Sequence, residues 1–132
     1  MNTTVYFLLR LGAGVSFFGH GLVRLPKLAG FADWMSHSFQ EAMLPGFIVT
    51  PFAYSLPLVE FFVGLLLLFG LFTKFALKAG ASIMLLLIFG TCLIENWEAI
   101  PSQLLHLAFC AVLLQFIDSN NNAVDTIMNK KQ

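Results

Sequence analysis

An apolar run long enough to cross a bilayer, residues 5–25, is interrupted by three ionisable side chains, Arg10, His20 and Arg24. That combination restricts the fold more than any other feature of the chain. A charged residue at the centre of a membrane helix costs roughly 2.5–3.5 kcal/mol on insertion scales, so it is kept where it meets a partner, a water-filled cavity or the interface. At helical spacing Arg10, Gly14, Phe17, Gly21 and Arg24 share one arc, with His20 at its border. The rest of the circumference is Leu, Val and Phe. The small and polar stripe is therefore expected to face other helices and not lipid.

Three further apolar runs follow, at 51–72, 79–94 and 101–117. Each of the four is roughly 16–22 residues long, near the length that crosses about 30 Å of hydrocarbon at about 1.5 Å per residue. Pro26, which has no amide hydrogen, stops the first, and the shorter third and fourth favour little tilt or local thinning. Charged residues are 11% of the 132 positions, against roughly 25% in soluble domains. The fold class expected is all-α, an integral membrane four-helix bundle forming one domain over 1–117, followed by a polar tail at 118–132. The lipid bilayer is its first partner. A net charge of zero without a basic tract excludes nucleic acid. A signal peptide over 1–25 is not expected, since Arg10 breaks the apolar core and neither a basic n-region nor a small-x-small site is present.

In the 26–50 loop, Phe31, Trp34, Met35, Phe39, Ala42 and Met43 recur at three- and four-residue steps. The spacing predicts a short amphipathic helix over 30–43 in the interface, serving as a lid on the outer mouth of the bundle or as a plain connector. The tail, with its asparagine run at 120–122, is expected to fray. Lys74, Lys78, Lys130 and Lys131 fall on the side that carries both termini, and Arg24, Lys27, Glu95 and Glu98 on the other. The positive-inside bias then places both termini in the cytoplasm.

Counted inward from the face of the 26–50 loop, His20 and His106 lie roughly 7 Å deep, and Glu60 roughly 13 Å deep. Arg24 and Gln103 are shallower, with Tyr54 near them. Three spans thus bring polar groups to one zone in the outer half of the membrane. Pro57, one turn before Glu60, frees the Ala53 carbonyl there, and Gly64, one turn after it, lets a neighbouring helix approach. The third span, with Gly80, Gly90 and Thr91, carries no charge and reads as packing. Depth pairs Glu60 with Arg24 before Arg10, which lies nearer the inner face and could snorkel there.

A carboxyl near two histidines is suited to moving a proton to or from a redox-active or polar ligand. Walls of Phe, Leu and Met suit a flat lipid-soluble molecule such as a quinone. The plainer alternative is that His20, His106 and Gln103 make interhelical hydrogen bonds that fix the bundle. Two histidines at one depth could also serve a haem, or join Glu60 around zinc. No metal or haem is expected, because no paired i, i+3 or i, i+4 ligand motif supports either. Cys92 and Cys110 differ in depth by roughly 9 Å, beyond the ~7 Å Cα separation that a disulfide spans, and read as buried thiols.

The order Arg10, Gly14, His20-Gly21, Arg24, Lys27 resembles the first span of the DoxX family of small bacterial membrane proteins. Glu60 followed by Gly64, Gly70 and Thr73-Lys74 resembles that family's second signature, an acid followed by glycines and a basic turn. The four-span layout and the long first loop extend the resemblance over nearly the whole chain. In the family a basic residue often follows the His-Gly pair, a place for Arg24 or Lys27. The resemblance implies the bacterial cytoplasmic (inner) membrane and a relation to the membrane subunit of a thiosulfate:quinone oxidoreductase. It implies a quinone as cofactor and a redox partner protein that brings the sulfur or electron-carrying centre.

The expectation is a quinone-binding subunit of an oxidoreductase system, a homo-oligomer or part of a larger assembly. Glu60 and His20 would handle the proton as the catalytic pair. Arg24 would hold the ligand's polar edge, and Arg10, His106, Gln103 and Tyr54 would complete the lining. A shared fold does not fix an activity, and two rivals stand beside this reading. One is a non-enzymatic scaffold or assembly factor. The other is a small carrier for a hydrophobic or anionic solute, with Arg10 and Arg24 along its path. A closed apolar-walled cavity open sideways to lipid marks the first reading, a tightly packed interior the scaffold, and a pore reaching both faces the carrier.

Overall fold

The computed structural model describes residues 1–129. All regular structure among them is helical: α1 (Thr3–Arg24), α2 (Leu28–Ser38), α3 (Gly46–Phe69), α4 (Thr73–Leu93), α5 (Ile100–Gln115) and α6 (Val124–Asn129). Asn2 starts α1, its side chain accepting the amide hydrogens of Thr4 and Val5 at 2.8 and 3.4 Å. α3 ends at Gly70, whose φ of +65° allows its amide to turn back onto the last carbonyls of the helix.

α1, α3, α4 and α5 form the bundle and alternate in direction. Gly21 lies against the backbone of Phe61, and Gly64 against that of Phe18, so α1 and α3 run antiparallel in close contact. A side chain at either glycine would overlap the facing main chain. The close approach expected at Gly64 is therefore made by α1. Gly80 receives the Phe17 ring and the Cys110 sulfur, joining α4 to α1 and α5. Tyr6, Phe17, Leu67, Leu77 and Leu113 are fully buried between these helices.

Three stretches are long and apolar enough to cross a membrane: Thr3–Ser38, Gly46–Phe69 and Thr73–Leu93. α5 is also apolar, and its 16 residues extend about 24 Å.

The boundaries differ from the sequence expectation in physically simple ways. The second span begins at Gly46 and not at 51, because Pro45 supplies the break and Pro51 and Pro57 are held inside the helix. The loop helix is α2, Leu28–Ser38, and a turn follows it; Ala42 and Met43 lie outside the helix, and Met43 is almost fully exposed. Cys92 and Cys110 are free thiols.

The tail does not fray over 118–129. Ser119 Oγ donates to the Met1 carbonyl at 2.8 Å, and Asn121 Nδ2 to Thr3 Oγ1 at 3.2 Å. Asp125 accepts the amide hydrogens of Phe72 and Thr73 at 2.7 and 2.8 Å, while its own amide donates to the Gly70 carbonyl at 3.0 Å. The asparagines and the aspartate thus close the end of the bundle where α1 begins and α3 turns into α4. Lys130 and Lys131, used above for orientation, lie outside the described residues.

Candidate functional site

At the opposite end, where α1 stops, a cavity of about 260 Å³ lies among α1, α2, α3, α4 and α5. Its polar end comes from α1 and α3. His20 and Arg24 stand four residues apart on one face of α1. Glu60, on α3, is 3% exposed and reaches Arg24, whose Nη1 donates to Glu60 Oε2 at 2.5 Å. The close seat of Gly21 on the Phe61 backbone brings the two side chains to one level. The Arg24 guanidinium also lies over the Phe31 ring at 4.7 Å, which ties α2 to the same point.

The histidines are held in defined tautomers. His20 Nδ1 lies 2.7 Å from the Ser16 carbonyl, and His106 Nδ1 lies 2.7 Å from the Ser102 carbonyl. A carbonyl only accepts, so each Nδ1 carries the hydrogen and each neutral ring keeps its lone pair on Nε2. His106 Nε2 takes the Ser16 hydroxyl hydrogen at 2.6 Å. His20 Nε2 makes no hydrogen bond among the described residues. The two rings stand edge to face, 5.8 Å between centroids. Gln103 Nε2 donates to Thr91 Oγ1 at 2.8 Å, and its Oε1 is buried without a partner among the described residues.

The remaining walls are apolar. Phe31, Trp34 and Phe39 close the outer side, and Leu56, Met84 and Leu87 line the interior. The Phe39 ring packs against Gly90, where a Cβ would come within 3.1 Å of it. α2 therefore covers the cavity, as a lid would, and does more than connect two spans.

The structure brings His20, Arg24, Glu60, Gln103 and His106 to one cavity. It does not bring Arg10 or Tyr54 there. Arg10 lies 14 positions before Arg24, about 21 Å away along α1. It does not snorkel, since its side chain is 1% exposed, packed on Gly70, and donates from Nη2 to the Asn122 carbonyl at 2.8 Å. Tyr54 is 40% exposed, outside the cavity. α4 contributes Met84, Leu87 and Thr91 to the lining, so it is more than packing. Ser16 was not anticipated as a partner of both histidines. Its position four residues before His20 is the one signal the sequence offers.

Long apolar antiparallel helices around a part-buried ion pair define a multi-pass helical membrane protein with a polar-ended cavity. The chain belongs to the DoxX family, whose model matches residues 5–92, more than half of its length. The match covers α1 to α4 up to Cys92 and stops before α5. The family likeness therefore falls short of nearly the whole chain, and Gln103 and His106 lie beyond it. No curated protein and no solved structure matches the chain.

Proposed function

We propose that this DoxX protein is a quinone-binding membrane subunit of an oxidoreductase system, with the Arg24–Glu60 pair as its binding centre. The observation that carries the reading is a buried Glu60 carboxylate, ion-paired to a partly exposed Arg24, facing an apolar, aromatic-walled cavity. A charged pair placed in a membrane helix bundle is costly unless it serves a ligand or a partner.

The lining fits the head group of a quinone. At about 260 Å³ the cavity lies just under the range of roughly 300–1,000 Å³ that holds drug-sized ligands, which suits one ring with its tail outside. Trp34 and Leu86 both line the cavity and are 59% and 57% exposed, so it opens sideways between α2 and α4. A lipid-soluble ligand reaches it from the bilayer by that route.

A bound quinone supplies a couple of two electrons and two protons. Arg24 holds the polar edge of the ring, and Glu60 and His20 take up or release protons at that edge. Ser16 and the Ser102 carbonyl hold His106 behind them. A partner protein supplies the electron-carrying centre. Both termini lie in the cytoplasm and the protein sits in the bacterial inner membrane.

The test is mass spectrometry of small molecules extracted from protein purified in mild detergent, beside a Glu60→Gln/His20→Ala variant. A stoichiometric quinone present in the wild type and absent from the variant is the expected result. A folded wild type that carries none, and takes up none when quinone is added, would replace this reading with the scaffold.

A further inference from the structure

We propose that the groove between the start of α4 and the docked tail holds the headgroup of an anionic phospholipid. The groove lies at the end of the bundle away from the cavity, and the proposal holds whether or not that cavity takes a quinone.

The groove has a volume of about 820 Å³. Phe72 and the first turns of α4 form one wall, and the tail forms the other with Asp118, Asn120 and Thr126. The second wall exists because the tail is tied down. Asp125 accepts the amide hydrogens of Phe72 and Thr73, and Asn120 Nδ2 donates to Thr73 Oγ1 at 3.0 Å.

Lys74 and Lys78 stand four residues apart on one face of α4, about 6 Å along its axis, and both are exposed. Neither forms an ion pair among the described residues. Two acids share the lining, Asp118 and Asp125. Both Asp125 oxygens are committed to main-chain amides, which leaves Asp118 to oppose the two ammonium groups.

Depth then selects a lipid over a soluble anion. α4 is apolar and long enough to cross a membrane, and the lysines lie in its first two turns, at headgroup level. Beside them Phe72, Phe75 and Met128 are 59%, 66% and 48% exposed and form an apolar lip. A phosphate against the lysines leaves its acyl chains over these rings, so charge and hydrocarbon both find a match. Free phosphate would use the lysines and leave the lip to water. Basic pockets at this level of a helix bundle suit anionic headgroups for the same electrostatic reason.

Binding of dioleoyl phosphatidylglycerol, dioleoyl phosphatidylcholine and soluble glycerophosphoglycerol to the full chain in mild detergent, read by native mass spectrometry, tests this. Phosphatidylglycerol should bind about tenfold more tightly than either of the others. Lys74→Gln/Lys78→Gln should remove most of that preference, and Asp118→Asn should increase it. Thr4 and Val5 are exposed near the start of α1, at the same end of the bundle but outside the groove. Adding Thr4→Lys/Val5→Lys to the double variant returns two charges to that end and should not restore the preference. Equal binding of the two lipids overturns the proposal. So does a preference that survives loss of Lys74 and Lys78 or returns with the α1 lysines, since diffuse attraction would then account for it. A soluble headgroup that binds as tightly as the lipid overturns the assignment to a lipid.

Discussion

Arg24 and Glu60 stand on different helices, 36 positions apart in the chain, and meet through one hydrogen bond from Nη1 to Oε2. The bond is unequal in its surroundings. The Arg24 side chain is 26% exposed and the Glu60 side chain 4%. Removing the arginine strands a carboxylate among apolar walls, whereas removing the acid leaves a guanidinium that still stacks on Phe31 and reaches the cavity.

Arg24→Gln should therefore destabilise the bundle by about 3 kcal/mol, and Glu60→Gln by about 1 kcal/mol, because an uncompensated buried charge is the larger penalty. The double variant Arg24→Gln/Glu60→Gln should recover most of the loss from the first. Thermal unfolding in detergent of all four proteins gives the coupling directly. Additive losses would mean the pair is no closer in solution than two independent side chains.

Among the glycines of α1, the contrast of Gly21 with Gly12 and Gly19 separates packing from helix propensity. Gly21→Ala puts a methyl into the Phe61 main chain, as Gly64→Ala does at Phe18, and neither backbone can move aside. Overpacking ordinarily costs about 1–3 kcal/mol, and here the two central helices should fail to seat, with loss of the monodisperse peak on size exclusion. Gly12 and Gly19 have open space where a Cβ would stand. Gly12→Ala and Gly19→Ala should keep the peak and raise stability by up to about 1 kcal/mol.

Depth along the spans is enough to collect His20, Glu60 and His106 in one half of the membrane, because helices that start or end at one face bring similar depths together. It was not enough for Tyr54, placed at the shallower level of Arg24 and Gln103, because it lies six residues before Glu60, about 120° away around the helix. Arg10 failed in the opposite way. It shares an arc with Arg24, but a shared arc carries no information about height. The docking of the tail was invisible for another reason. Asp125 caps Phe72 from 53 positions away, and a polar run reads locally as solvated unless its distant partner is known. Thr91 carries no charge, so only the structure shows that its hydroxyl accepts from Gln103.

Asp125 acts as the N-terminal cap of α4, taking two amide hydrogens that the helix leaves unpaired. Its charge also faces the positive end of the helix dipole. Asp125→Ala should cost about 1–2 kcal/mol, and Asp125→Asn less, since the amide keeps one acceptor. Truncation after residue 117 should cost more than Asp125→Ala, because it also removes the Asn122 carbonyl from buried Arg10. Unfolding curves of the three variants rank these effects, and a truncated chain as stable as wild type would show that the tail contributes nothing.

The roof of the cavity rests on a contact that can be adjusted without touching the ion pair. A Cβ at Gly90 would stand 3.1 Å from Phe39 Cζ, so the ring must give by a few tenths of an ångström to admit a methyl. Phe39 follows the end of α2 and is half-buried, which leaves its side chain free to turn. Gly90→Ala should change stability by less than about 1 kcal/mol, since a helical glycine gains propensity as the ring shifts. Gly90→Leu should drive the ring into the cavity and reduce the volume left for a ligand. If α2 closes a binding cavity, quinone affinity should fall from wild type through Gly90→Ala to Gly90→Leu, while Arg24–Glu60 coupling stays constant. Affinity that ignores the series, with all three proteins folded, would place the ligand elsewhere on the bundle.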